Sequence, residues 1–330
     1  MKKEWSVGEL LATSSAYWKG CALQAGVRLG VFTAIHDRKM DLPEVARAID
    51  GDERATEYLL NALAALGLLV KDGSHYSNSA AALEFLSRES RQYMGHIILH
   101  HHHILDGWAQ LDHAVRTGAP AQRRSYGEEV ERESFLMGMF NLAMGIAPRI
   151  TSLIDLGGRK RLLDLGGGPG TYAIHFCKAN PDLSAVIFDR VTTEPFARKT
   201  VSKFGLADRI DFAGGDFNFD PITDGPYDVA WLSHILHSNG PEQCQEIIGK
   251  TVRAMEPGGL ILIHDFILDD TKDGPEFAAL FAINMLVNNS HGRSYSRQEI
   301  ADMMESAGIR DVSLHPFRGP SDSSIIYGTL

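Results

Sequence analysis

The sequence predicts an α/β protein in which a doubly wound, mostly parallel sheet follows a smaller, mainly helical domain. Three observations predict it. Arg161-Leu162-Leu163-Asp164-Leu165 reads as a short strand that runs into Gly166-Gly167-Gly168-Pro169-Gly170 and then a helical segment, Tyr172–Lys178. From Arg161 onward, strand-like apolar runs alternate with helical ones. Before residue 93 the pattern is instead helix, helix, helix, hairpin.

Composition bounds the function classes. At 330 residues two domains are expected, and 44% apolar with 22% charged residues suits a soluble globular chain. A net charge of −10 disfavours broad attraction to nucleic acid or anionic membrane. Cys21, Cys177 and Cys244 form no CxxC, which argues against structural zinc or a disulfide framework and suits a reducing cytoplasm. The start, Met1-Lys2-Lys3-Glu4-Trp5-Ser6, has positive charge but no apolar run behind it, so no signal peptide is expected. No apolar segment is long enough to span a bilayer.

The amino-terminal elements follow in order. Residues 10–35 mix apolar and small residues with few charges, including Leu10, Leu11, Tyr17, Trp18, Leu23, Val27 and Phe32. A helix apolar around most of its circumference is buried on several sides, which at a chain end points to a partner subunit. Asp41-Leu42-Pro43-Glu44 is a capped helix start that turns Leu42, Val45, Ala46 and Ile49 inward. A second helix, about Arg54 to Leu66, presents Leu59, Leu60, Leu63 and Leu66. Val70–Tyr76 reads as a hairpin on an Asp72-Gly73 turn.

This is the winged-helix pattern, so a DNA-binding regulator is an alternative. Its reading helix would carry Arg54 as the one strong base, beside Glu53 and Glu57, whereas base readers need cationic and amide side chains there. Dimerisation is the better use of the domain.

Residues 93–116 read as one long helix with an apolar stripe through Ile97, His101, Ile104, Trp108, Leu111 and Val115. His100-His101-His102-His103 lies on it, with His96 one turn earlier. His96, His100 and His103 share a face, so metal ligation is conceivable. No Cys or carboxylate with ligand spacing accompanies them, so the expectation is no metal, with one or two of the run reaching a pocket. Thr117–Ser134 reads as a polar loop and Phe135–Leu156 as a Met-rich helix.

The glycine turn is not a dinucleotide fingerprint, because the position five after Gly166 is Thr171, and without Gly-Lys-Ser/Thr it is not a P-loop. Strands are expected at Arg161–Leu165, Ala185–Asp189, Ile210–Gly214, Tyr227–Ser233 and Leu260–Leu268. Two more are expected at Val312–Phe317 and Ile325–Gly328. Asp164 and Asp189 end the first two strands and Gly215-Asp216-Phe217 follows the third; ligands of open α/β sheets bind at these ends.

The spacing Asp164-x-Gly166-x-Gly168-x-Gly170 resembles the first motif of the class I S-adenosylmethionine-dependent methyltransferases, with their Rossmann-like sheet. Leu236-His237, Glu256-Pro257-Gly258-Gly259 and the strand Leu260-Ile261-Leu262-Ile263-His264-Asp265 are similar to the small-molecule O-methyltransferases of the caffeate and acetylserotonin type. The resemblance covers nearly the whole chain. It implies that Asp164, Gly166, Gly168 and Gly170 hold the amino-acid part of S-adenosyl-L-methionine, Asp189 the ribose, and Asp216 and Phe217 the adenine. Ser233 stands where a cofactor-contacting lysine is often found. The resemblance makes His237 the general base and Asp265 its orienting carboxylate, and assigns Met285 and Asn289 to the acceptor; His101 and His102 are the members of the histidine run expected to reach it. Ser238 replaces an aspartate after the base, and Ser294 a second orienting glutamate, which leaves His237 one carboxylate partner.

The implied organisation is a dimerisation domain over 1–92, connecting helices lining the acceptor pocket over 93–156, and a cofactor-binding catalytic domain over 157–330. The implied protein is a cytoplasmic, homodimeric O-methyltransferase of a small hydroxylated, aromatic or polycyclic metabolite. A histidine of pKa about 6.5 can take the proton of a phenol of pKa about 10 as the methyl arrives, with no metal. The alternatives are N-, S- or C-methylation on the same fold, or a cofactor-binding relative that no longer transfers methyl.

Overall fold

Residues 4–330 are described by a computed structural model, so the charged start Met1-Lys2-Lys3 lies outside the described residues. The chain divides into two compact units: Met1–Leu105 with Ser125–Asn141, and Asp106–Arg124 with Leu142–Leu330.

In the first unit the apolar stretch is three helices, Val7–Ser14, Tyr17–Arg28 and Val31–Ile35. The single helix expected there is broken at Ser15-Ala16 and again at Gly30, whose φ of +77° is a left-handed backbone that glycine adopts without a Cβ clash. Asp41 and Glu44 close a reciprocal capping box on Leu42–Ala48, and Asp52 caps Glu53–Ala65 through the Ala55 N–H. Three short strands, β1 (Met40–Asp41), β2 (Leu69–Asp72) and β3 (His75–Asn78), form an antiparallel sheet in the order β1-β3-β2. Asp72 pairs with His75, so the turn residues are Gly73-Ser74, one position later than expected, with Gly73 at φ +58°. Val31, Phe32, Ile35, Val45, Leu60 and Leu63 make the core of this unit and are fully buried.

Two expected helices are redrawn. The long helix over 93–116 is Gly95–Trp108 followed by Leu111–Thr117, and Val115 at the end of the expected stripe is 65% exposed. The next helix begins at Glu128, ahead of the expected Phe135. Glu128, Glu129 and Glu131 occupy its first turn, where carboxylates favour the positive end of the helix dipole.

The second unit carries a seven-stranded sheet. Its strands are β4 (Arg161–Leu165), β5 (Ser184–Asp189), β6 (Ile210–Gly214), β7 (Tyr227–Ser233), β8 (Met255–Asp265), β9 (Arg310–Arg318) and β10 (Ser324–Thr329). Their order is β6-β5-β4-β7-β8-β10-β9, parallel except for β10, which runs antiparallel to both neighbours. β4, third in that order, has Leu162, Leu163 and Leu165 fully buried, as a strand covered on both faces requires. Ile174, Phe176 and Trp231 lie in the core of one face, and Leu165, Leu232 and Ile248 in that of the other. The strand order reverses at β4, and the carboxyl ends of β4, β5 and β7 flank that point.

Candidate active site

The sheet order sets the site. Read along β6, β5, β4, β7 and β8, the carboxyl ends bring up Asp216, Asp189, Asp164, the segment Ser233–His237, and Asp265. Residues far apart in sequence thus form one row.

The β4 turn shows why its residues are small. Gly166, Gly168 and Gly170 all have positive φ, and a Cβ on Gly166 would lie 2.2 Å from Ile235 Cδ1. At Gly167 a Cβ would lie 2.6 Å from the Asp164 carboxyl carbon, so the middle glycine of the run leaves room for that side chain. Asp164 is 1% exposed and accepts one hydrogen bond, from the Ala173 N–H at 3.1 Å. Burial pushes its carboxyl up to about 7, against the Ala173 bond and with help from the Asp189 charge. Asp189 accepts from the Gly168 N–H at 2.8 Å, the Arg190 N–H at 2.7 Å and Thr193 Oγ1 at 3.1 Å; burial still raises its pKa. Asp216 accepts from the Asn218 N–H, and Phe217 packs half-buried against the core. Thr171 Oγ1, beside the turn, is buried with no hydrogen-bond partner. The turn thus offers close approach to its backbone, with an unused hydroxyl and a desolvated carboxyl beside it.

At β7 and β8 the histidines gather. His237 Nδ1 is 2.7 Å from Asp265 Oδ1, and the His237 backbone N–H points at Oδ2 at 3.4 Å. Both side chains are nearly buried, at 11% and 4% exposure. Burial by itself would push the Asp265 carboxyl up, but the charge of His237 and the ring nitrogens of His234 and His237 hold it well below the usual carboxylate range. Among the described residues, His234, His237 and Asp265 are the group whose donor atoms could gather round a metal, within 4.8 Å of one another. The 2.7 Å separation is a hydrogen-bond distance, closer than two ligands each about 2.0–2.2 Å from one tetrahedral zinc would sit.

Around His237 stands an aromatic wall. Phe281 meets its ring edge-on at 4.8 Å, and Phe266 packs on Phe281 and Phe277 at 4.7 and 4.8 Å. Met285 is buried on the same helix, Glu276–Asn288. Asn289 spends its amide on the chain, donating to the Ser238 carbonyl and accepting from the His291 and Gly292 N–H groups. Ser294 donates to the Ala278 carbonyl and is buried. Ser233 Oγ lies 2.9 Å from His264 Nδ1, whose Nε2 meets Ser323 Oγ at 3.0 Å.

The other histidines of the run belong to the first unit. Its buried member is His103, stacked on Tyr126 at 4.6 Å, whereas His101, expected on the apolar stripe, is exposed. His102 Nε2 lies 3.1 Å from the Arg28 guanidinium. Sequence reasoning missed His234, although His234-Ile235-Leu236-His237 brings two imidazoles to one strand end. It also missed the wall of Phe277 and Phe281, signalled by their spacing of four on a helix.

Comparison with known proteins gives the family. Residues 101–310 match the O-methyltransferase domain and residues 11–88 the O-methyltransferase dimerisation domain. The chain is 33% identical over 322 residues to the 3-hydroxy-5-methyl-1-naphthoate 3-O-methyltransferase of Streptomyces sahachiroi, covering 96% of this chain and 93% of that one. It is 32% identical to the tetracenomycin polyketide synthesis 8-O-methyl transferase TcmO of Streptomyces glaucescens, covering 96% of each. A solved structure of PigF with SAH superposes with a TM-score of 0.90 at 28% identity, covering 99% of this chain and all of that one. With more than half its length in one family domain, the chain belongs to the O-methyltransferase family and is an S-adenosylmethionine-dependent methyltransferase with a dimerisation domain.

Proposed function

We propose that this O-methyltransferase methylates a phenolic hydroxyl of an aromatic, polycyclic metabolite of the polyketide kind, with His237 as general base. The observation that carries the reading is the 2.7 Å contact between His237 Nδ1 and Asp265 Oδ1. A neutral His237 that gives its Nδ1–H to the carboxylate keeps a lone pair on Nε2 for the acceptor's proton. Asp265 then favours the imidazolium that forms.

S-adenosylmethionine supplies a methyl group already activated by a sulfonium. The chain's own residues hold the parts: Asp164 with Gly166, Gly168 and Gly170 the amino-acid group, Asp189 the ribose hydroxyls, Asp216 and Phe217 the adenine, and Ser233 the neighbouring strand end. The desolvated Asp164 carboxyl and the unused Thr171 hydroxyl support that assignment. Holding acceptor oxygen, methyl carbon and sulfur in line accounts for much of the rate. The aromatic wall of Phe266, Phe277 and Phe281 suits a flat ring system, and the two Streptomyces relatives carry naphthoate and tetracenomycin in their names. Met285 and Asn289 are assigned to the acceptor on the family resemblance, and His101 and His102 as members of the histidine run. The active form is a homodimer through residues 1 to about 35, and the free state of Cys21, Cys177 and Cys244 suits the cytoplasm. No described helix is long and apolar enough to cross a membrane.

The test is a panel of hydroxynaphthoates and tetracyclic phenols incubated with S-adenosylmethionine, with the methylated atom located by NMR of the product. His237→Ala should leave cofactor binding nearly intact and lower turnover of a neutral phenol by roughly 10²–10⁴-fold. The loss should shrink for phenols already ionised at assay pH. Turnover within a few-fold of the wild type would remove the base from the mechanism.

A further inference from the structure

We propose that His234 is a positioning residue that shares the Asp265 carboxylate with His237 and thereby tempers the basicity of the His237 ring. The inference rests on the reading of His237 as base, and it concerns a residue to which that reading gives no role.

The geometry is specific. His234 Nδ1 is buried, has no well-formed hydrogen bond, and lies 3.4 Å from Asp265 Oδ1, the oxygen that also meets His237 Nδ1 at 2.7 Å. The two imidazoles are 5.7 Å apart between ring centres. His234 holds this place at φ +58°, a left-handed backbone uncommon for a residue with a Cβ, with its N–H donating to the His264 carbonyl at 2.8 Å. Its ring packs on Phe266 at 4.6 Å and edge-on against His264 at 4.7 Å. Backbone strain, a carbonyl anchor and two ring contacts thus aim one buried nitrogen at one carboxylate oxygen.

Asp265 Oδ1 also accepts the Phe266 N–H at 2.8 Å, and among side chains the two histidines are the groups that meet this carboxylate. From β8 come Asp265 and His264, the latter kept neutral by burial, which drives its pKa well down. From the helix Pro241–Arg253 comes Cys244, whose thiol burial pushes up to about 11. Tyr295 is also pushed up by burial, and Arg293 is paired with Glu299 at 2.9 Å. Phe266 and Phe281 are apolar. Asp265 therefore supplies the negative charge that favours protonated His237, and any donor at Oδ1 draws on the same charge. Removing the His234 contact leaves more of that charge to His237 and makes it the stronger base. With Ser294 where a second carboxylate is usual in the family, a single carboxylate serves the base, and sharing it sets its strength.

The test reads the His237 ring itself by nitrogen-detected NMR titration of the full-length enzyme with S-adenosylhomocysteine bound. No acceptor is needed, so the result is separate from the turnover test of His237→Ala. In His234→Phe, which keeps a ring but no donor, the His237 titration midpoint should move up by about half a pH unit or more. In His234→Asn, whose amide places an N–H where Nδ1 was and which tolerates positive φ, the midpoint should stay with the wild type. An unmoved midpoint in His234→Phe, or equal shifts in both variants, would overturn the proposal, the second because a variant that keeps an N–H at that place would then behave like one that lacks it.

Discussion

Asp164 is the residue at which site and stability conflict. Its folded pKa of about 7 lies above the ordinary 3.8, so the folded state holds the proton more tightly than the unfolded chain does. The contribution of Asp164 to the stability of the cofactor-free protein therefore falls as pH rises from about 4 to about 7 and is level above that. Each tenfold gain in proton affinity is worth about 1.4 kcal/mol, so the total reaches a few kcal/mol. Asp164→Asn cannot ionise and keeps an acceptor for the Ala173 N–H. Thermal melts of the cofactor-free variant should gain on the wild type at about pH 8 and lose most of that gain at about pH 5. A gain of the same size at both pH values would mean that the carboxyl is not desolvated as its burial implies. Aspartate at a strand end is legible in sequence. Its raised pKa is not, because it comes from burial within the folded turn and from the Asp189 charge, which a distant strand brings up.

At the scale of elements, the glycine turn joins a strand to a helix through three left-handed residues, and the space around them differs from that at other turns. Gly170 has φ +79° and a Cβ there would come within 2.4 Å of Ile187 Cδ1 on β5. Gly205, at φ +69°, has nothing within 4 Å. Alanine at Gly205 should cost about 1–2 kcal/mol, the backbone penalty alone. Alanine at Gly170 should cost that plus about 1–3 kcal/mol for overpacking. Urea unfolding midpoints of the two variants compare them directly, and equal losses would show that β5 yields without cost. The strand limits of β4 and β7 are readable because strands buried on both faces are rich in apolar residues along their length. The helices over 10–35 and 93–116 are not, because apolar periodicity continues across breaks such as Gly30 and Ala109-Gln110, where the backbone departs from the helix.

For the whole molecule, the question is what covers the amino-terminal helices. Val7, Leu11, Tyr17 and Trp18 are between 60% and 75% exposed in the single chain. Apolar surface of this kind, inside a stretch overlapping the family's dimerisation domain, favours a second copy of the chain. Sedimentation at low micromolar concentration should give a dimer, and Leu11→Glu with Trp18→Glu should shift it towards monomer. A wild-type monomer that is stable and active would rule out the obligate dimer.

By itself the sequence determined the sheet, its cofactor end and the family, since each rests on local signals: strand periodicity, glycines where φ must be positive, and carboxylates at strand ends. It also paired His237 with Asp265, because neighbouring strands follow from the doubly wound order. Only the tertiary structure decided how those groups are shared. The second imidazole on Asp265 and the aromatic wall from Glu276–Asn288 arise where separate elements meet. So does the commitment of Asn289 to the chain after His237. Such contacts depend on side-chain directions and distances between residues far apart in sequence, which no spacing along the chain encodes.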